Sequence, residues 1–160
     1  MNRFIVDHHP DAIAKALCDQ HVVKMPLEEA QMLCTSLWHH APEYAEKHEL
    51  YKPVHQKHPC TLWAMKTRAN YMYAVKLYQA MLQEYTYRYG KVHLTDTKLR
   101  ELLKTPPKNI PVGQMTRMPQ AMPDEFKCCD SIIAYRNYYR IAKQHLHTWT
   151  KRAVPQFITT

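Results

Sequence analysis

The chain has 160 residues, 46% of them apolar, with 22 Lys+Arg against 14 Asp+Glu, a formal net charge of +8 and a pI near 9.3. That length predicts one domain over residues 1–160, able to bury about 70% of its unfolded surface, and the apolar share argues against disorder. With only two glycines, Gly90 and Gly113, there is no dinucleotide fingerprint and no phosphate loop, and little material for the tight hairpins of an all-β fold.

Residues 1–7 read as a short extended segment. Pro10 then suits the first turn of a helix, with Asp7 or His9 placed to cap it. Residues 11–40 read as helix, with an apolar stripe through Ala16, Val23, Leu27, Ala30, Cys34 and Leu37. Pro26 lacks a backbone donor and is expected to kink or split this helix near residues 22–25. Across from the stripe, His21, Lys24, Glu28 and Gln31 recur at steps of three and four and line one face.

Residues 41–60, punctuated by Pro42, Pro53 and Pro59, read as loop. Residues 61–89 carry two apolar stripes, one through Leu62, Met65, Ala69, Met72 and Val75 and one through Tyr73, Leu77 and Met81. A helix apolar on most sides is a central one. Gly90 is placed to cap its C-terminus. A short helix over 95–104, opened by Thr95 or Asp96, precedes a long irregular crossing at 105–124 that holds five prolines. The last helix spans 130–150, with an apolar stripe through Ile132, Tyr135, Tyr139, Ala142, Leu146 and Trp149. The expected fold is all-α: a compact bundle of three main helices plus short helices and long Pro-rich loops.

The charge balance favours polyanions, with nucleic acid or an acidic membrane surface as partner. No segment reaches the roughly 18–20 apolar residues that a membrane span needs, and residues 1–10 have no apolar signal core. Five cysteines without Cys-x-x-Cys spacing suit free thiols in a reducing cytosol. A cytoplasmic monomer that needs no metal or cofactor is therefore expected.

Three features carry chemistry. On the last helix Arg136, Arg140, Lys143 and His147 form a line able to track phosphates, with Tyr138 and Trp149 able to stack on bases. From Phe126 to the end there are six Lys/Arg and one acid, and Lys127, Lys151 and Arg152 extend the patch. Glu28 shares a face with His21 and Lys24, a placement suited to general acid–base work or to anchoring a developing cation, and equally that of a surface ion pair. His55 and His58 lie between prolines; without acid or cysteine partners they suit a phosphate or base contact better than a metal.

The block Leu-Cys-Asp-Gln-His at 17–21, with Glu28 seven residues beyond His21, resembles the first helix of the phage endonuclease V family, the pyrimidine-dimer DNA glycosylases. Pro-Asp-Glu-Phe-Lys at 123–127 is similar to that family's Pro-x-Glu-Phe-basic stretch. The Arg68–Tyr73 run sits where the family has an aromatic-rich central helix, and Tyr138, Tyr139 and Trp149-Thr150-Lys151 are similar to its aromatic and basic C-terminal region. The matches are short and span nearly the whole chain.

The resemblance implies a three-helix protein that binds duplex DNA, kinks it and extrudes a nucleotide. A terminal α-amine then attacks C1′ of a damaged or modified pyrimidine nucleotide and forms an imine, and an abasic-site lyase step can follow. Glu28 takes the place of the family's catalytic glutamate, and Arg3 that of a basic residue able to hold a phosphate. An α-amine, with a pKa of about 7.7–8.0 against about 10.4 for lysine, is the better nucleophile near neutrality. The family has a small second residue exposed by methionine removal; here position 2 is Asn2. The amine is thus carried by Met1 or by Asn2, or replaced by a buried Lys24. Leu27 precedes Glu28 where the family has basic residues. Two alternatives stand beside the glycosylase: a phage nucleotide- or base-modifying enzyme acting on another glycosidic bond, and a non-catalytic binder of DNA or a nucleotide.

Overall fold

The chain leaves its first extended segment at Pro10, which occupies the first turn of helix α1 (Pro10–Ala16), as its fixed φ favours. His9 stands at the cap position without a side-chain bond into the helix; Asp7 instead accepts from the His9 amide at 3.1 Å. The structure is a computed structural model describing residues 2–159, and Met1 and Thr160 lie outside the described residues. After α1 come α2 (Asp19–His40), α3 (Pro42–Lys47), α4 (Pro59–Lys66), α5 (Arg68–Tyr89), α6 (Leu94–Leu103), α7 (Ser131–Ala142) and α8 (Gln156–Thr159). Single 3-10 turns lie at Asp124–Phe126 and Gln144–Leu146, and among the described residues there is no strand. The all-α expectation holds.

The helix expected over 11–40 divides, but not at its proline. Leu17 and Cys18 are extended and separate α1 from α2, whereas α2 runs unbroken through Pro26. The segment expected at 61–89 divides at Thr67, whose hydroxyl accepts from the Asn70 amide and caps α5. Gly90 ends α5 in the left-handed region at φ +64°, where a residue without Cβ is at ease. The cap of α6 is His93, whose Nδ1 accepts from the Thr95 amide, rather than Thr95 or Asp96. Within 41–60 the structure adds α3, and the last helix stops at Ala142, well before residue 150.

The two 22-residue helices, α2 and α5, form the centre. One apolar cluster gathers Leu33, Leu37, Trp63, Tyr71, Tyr78, Leu82, Leu99 and Leu103. The other surrounds the first segment, with Phe4, Ile5 and Val6 packed against Ile13, Leu17, Val22, Met25, Leu77, Met81, Tyr135 and Tyr139. The N-terminal segment is therefore an internal thread between α2, α5 and α7, and burying its apolar side chains holds it there.

Several buried polar groups on these helices find partners, as a dry interior favours, although the Ser36 hydroxyl in α2 has none among the described residues. Tyr71 donates to the Leu103 carbonyl at 2.9 Å and Tyr78 to that of Thr95 at 2.7 Å. Asn70 pins the proline-rich crossing: its carboxamide donates to the Trp63 carbonyl and Thr116 Oγ1 and accepts from the Thr116 amide. Among the described residues no helix is long and apolar enough to cross a membrane.

Candidate active site

Glu28 sits on the buried side of α2, 7% exposed, one residue beyond the solvent-facing Leu27. Its Oε2 accepts from the main-chain nitrogen of Asn2 at 3.0 Å, and Lys24 Nζ lies 3.1 Å from its other oxygen. The thread thus enters the core directly over the carboxylate. One turn before Lys24, His21 is buried, stacked on the Phe4 ring at 4.5 Å between centroids, with its Nδ1 2.7 Å from the Tyr139 hydroxyl. That hydroxyl also accepts from the Cys18 amide at 2.8 Å, which fixes it between α7 and the start of α2. Burial lowers the His21 pKa to about 4, assisted by Lys143, Lys24, His145 and His147. His21 is a neutral imidazole at physiological pH, within reach of the Lys24 and Lys143 charges.

The expected catalytic set is therefore partly brought together. Asn2, Lys24 and Glu28 converge, His21 lies behind Phe4, and Met1 falls outside the described residues. Lys24 is not buried: its side chain is 66% exposed, so the desolvation that would make it an amine nucleophile is absent. His58 caps α4 by accepting from the Cys60 amide; burial lowers its pKa, and Glu28 is close enough to pull the other way. His55 is exposed, at φ +47°.

Arg3 overturns its sequence reading as a phosphate-holding residue. Its side chain is wholly buried and forms a two-pronged pair with Glu29, with Nε at 2.9 Å from Oε2 and a second bond to Oε1. Burial opposes its charge, yet Glu29 outweighs this and holds the guanidinium more firmly charged than usual. No phosphate reaches it.

The basic line of the last helix is also largely spent inside the molecule. Arg136 donates to the Val6 carbonyl at 2.7 Å, lies 3.5 Å from Asp7 and covers the Phe157 ring. Arg152 grips both oxygens of Glu84 and lies over Tyr87. Trp149 donates to the Ala16 carbonyl, Lys151 to that of Tyr87, and His147 sits 3.0 Å from that of Tyr139. Lys127 pairs with the exposed Asp124. Arg140 and Lys143 are half-buried and form no ion pair among the described residues; Arg140 makes one long bond to Asn137 and Lys143 lies over Tyr138.

Sequence reasoning passed over Glu29, Tyr135, Tyr139 and Ala121. Tyr135 and Tyr139 are four apart on the apolar stripe of α7, a spacing that marks packing and hides the work of their hydroxyls. Among the described residues no group of three or more His, Cys, Asp or Glu is arranged to hold a metal ion. The three buried cysteines and the exposed Cys128 and Cys129 are all free thiols.

Compared with models of known protein families, with curated proteins and with solved structures, the chain matches none.

Proposed function

We propose that the chain is a DNA N-glycosylase with an accompanying abasic-site lyase step, acting on a damaged or modified pyrimidine through an amine–imine intermediate. One observation carries this reading: the main-chain nitrogen of residue 2 lies 3.0 Å from the Glu28 carboxylate. In a mature chain beginning at Asn2 that nitrogen is an α-amine, poised to lose its proton near neutral pH. The amine attacks C1′ as the glycosidic bond breaks and the base leaves with a proton. The sugar ring then opens to an imine, and loss of a C2′ proton expels the 3′-phosphate. Glu28 stabilises the cationic sugar and imine and takes up the amine proton.

The surroundings suit an anionic substrate. Lys24, Lys143, His145 and His147 all act on His21, and His55 acts on His58. Of these, the exposed Lys24 beside Glu28 is available to meet a backbone phosphate. Borohydride added to the protein with duplex DNA containing an abasic site or a pyrimidine dimer should trap a covalent adduct, and peptide mapping should locate it at the chain's first residue. A Glu28→Gln protein should bind the duplex and fail to trap. Absence of any adduct from the wild-type protein on these duplexes defeats the reading.

A further inference from the structure

The Asn2 side chain makes more bonds than a residue at the edge of a fold needs. Its carboxamide donates through Nδ2 to the Ala121 carbonyl at 2.8 Å. Its Oδ1 accepts from the Arg3 amide at 2.7 Å and is reached by the Tyr135 hydroxyl at 3.1 Å and the Cys60 thiol at 3.9 Å. These groups come from three distant parts of the chain: α4, the proline-rich crossing and α7. The Tyr135 hydroxyl accepts from the Ala121 amide at 3.2 Å, and its one proton is shared between Asn2 Oδ1 and the Pro119 carbonyl at 2.9 Å. Next along the thread, the buried Arg3–Glu29 pair fixes the following residue to α2.

Resting on the reading above, we infer that the Asn2 carboxamide, gripped by Tyr135 and the Ala121 carbonyl, is a positioning clamp that sets the main-chain nitrogen of residue 2 against Glu28. The packing of the thread alone does not specify this. Phe4, Ile5 and Val6 bury apolar surface, which is non-directional and tolerates small slides. Hydrogen bonds to both ends of one planar amide fix its position and its rotation about two bonds, and thereby the nitrogen three bonds from its carbon. Reaction between an amine and a sugar carbon is acutely sensitive to such placement. Glu28 and Glu29, consecutive on α2, divide the work: Glu29 anchors the thread through Arg3 and Glu28 meets the nitrogen. Tyr135 is a positioning residue here, acting through Asn2 and touching no substrate.

Two measurements test the clamp. The first needs no activity: in the intact protein labelled with nitrogen-15, the Asn2 side-chain amide protons should exchange slowly with solvent. Tyr135→Phe, which keeps the ring packed against Phe4, should speed their exchange at least tenfold. An Asn2 amide that exchanges in the wild type like an exposed one overturns the clamp. The second is a double-mutant cycle on the borohydride-trapping rate. Asn2→Ala and Tyr135→Phe should each slow trapping about tenfold with unchanged affinity for the duplex, and Tyr135→Phe should add nothing in the Asn2→Ala background. A Tyr135 effect that persists undiminished there means that the tyrosine acts by another route, and the clamp falls. A wild-type protein that never traps while its Asn2 amide is protected removes the glycosylase and leaves the clamp as an anchor of the thread.

Discussion

Arg88, near the end of α5, lies 2.9 Å from Asp19, the first residue of α2, across 69 positions of sequence. The guanidinium has no solvent exposure, and Glu84 accepts from its Nε at 2.7 Å while the Lys15 carbonyl accepts from another nitrogen. Asp19 also receives the Thr150 amide and hydroxyl, so a single carboxylate ties the start of α2, the end of α5 and the C-terminal segment together. The acidic member of the Asp-Gln-His block is thus a latch.

Removing one partner of such a buried pair leaves a charge without compensation, at a cost of about 3–5 kcal/mol. Arg88→Ala should therefore lower unfolding stability by about that amount in urea titrations. Asp19→Asn should cost less, about 1–3 kcal/mol, because two of its bonds survive in weakened form. Burial pushes the Asp19 carboxyl up, but Thr150 and Arg88 outweigh it and hold it below its ordinary value. Its contribution is complete above about pH 4 and fades as pH falls through the depressed folded value. The stability gap between wild type and Asp19→Asn should close over that acid range; a gap that widens there contradicts the latch.

His21 behaves in the opposite chemical sense with the same pH direction. Its folded pKa of about 4 lies below the ordinary 6.5. As pH falls from about 6.5 toward 4 the unfolded chain takes up a proton that the folded one refuses. Folding should lose roughly 3 kcal/mol across that window. His21→Gln should flatten the decline between pH 6 and 4. Nitrogen-15 NMR should find the His21 imidazole neutral at pH 6. A His21 that titrates near 6.5 defeats both expectations.

The helices were legible in sequence where one force acted alone. The stripes of α5, its cap at Gly90 and the start of α1 at Pro10 follow from periodicity and fixed φ. The break at Cys18 was not legible, because it answers to Tyr139 and Thr148, which hold the Cys18 and Asp19 amides from the far end of the chain. Pro26 misled in the other direction, since packing around a buried helix outweighs one lost hydrogen bond. At the site, the spacing of His21, Lys24 and Glu28 did mark a shared face. Periodicity could not tell that Arg3 turns inward to Glu29, for a charged residue with a buried partner looks in sequence like any surface cation.

The Arg3–Glu29 pair makes a separate prediction. Arg3→Met alone strands a buried carboxylate and should cost about 3–5 kcal/mol, while Arg3→Met with Glu29→Met should recover most of that loss, since apolar groups of similar volume often replace a buried pair at little cost. Denaturant midpoints of the three variants and the wild type give the coupling directly. A double variant whose loss equals the sum of the two single losses would show that the pair is not coupled. The double variant should also keep the salt dependence of DNA binding unchanged, because Arg3 does not reach the surface.

Cations that meet phosphates and cations that hold the fold together separate by their response to salt. Each phosphate contact released as counterion exchange steepens the fall of log Kd affinity with log salt by about one unit. Lys143 acts on His21 by its charge and forms no ion pair among the described residues, only its approach to the Tyr138 ring. Arg152 is committed to Glu84 and Tyr87. Lys143→Gln should therefore weaken binding to duplex DNA of any sequence and reduce the salt slope by about one, with stability nearly unchanged. Arg152→Gln should leave the slope as it is and destabilise the fold, because Glu84 loses one of its two arginines. Fluorescence anisotropy from about 50 to 200 mM salt, beside thermal melts of the same variants, separates the two classes. If Arg152→Gln instead flattens the slope while Lys143→Gln does not, the proposed phosphate track runs along the C-terminal segment and Lys143 is not part of it.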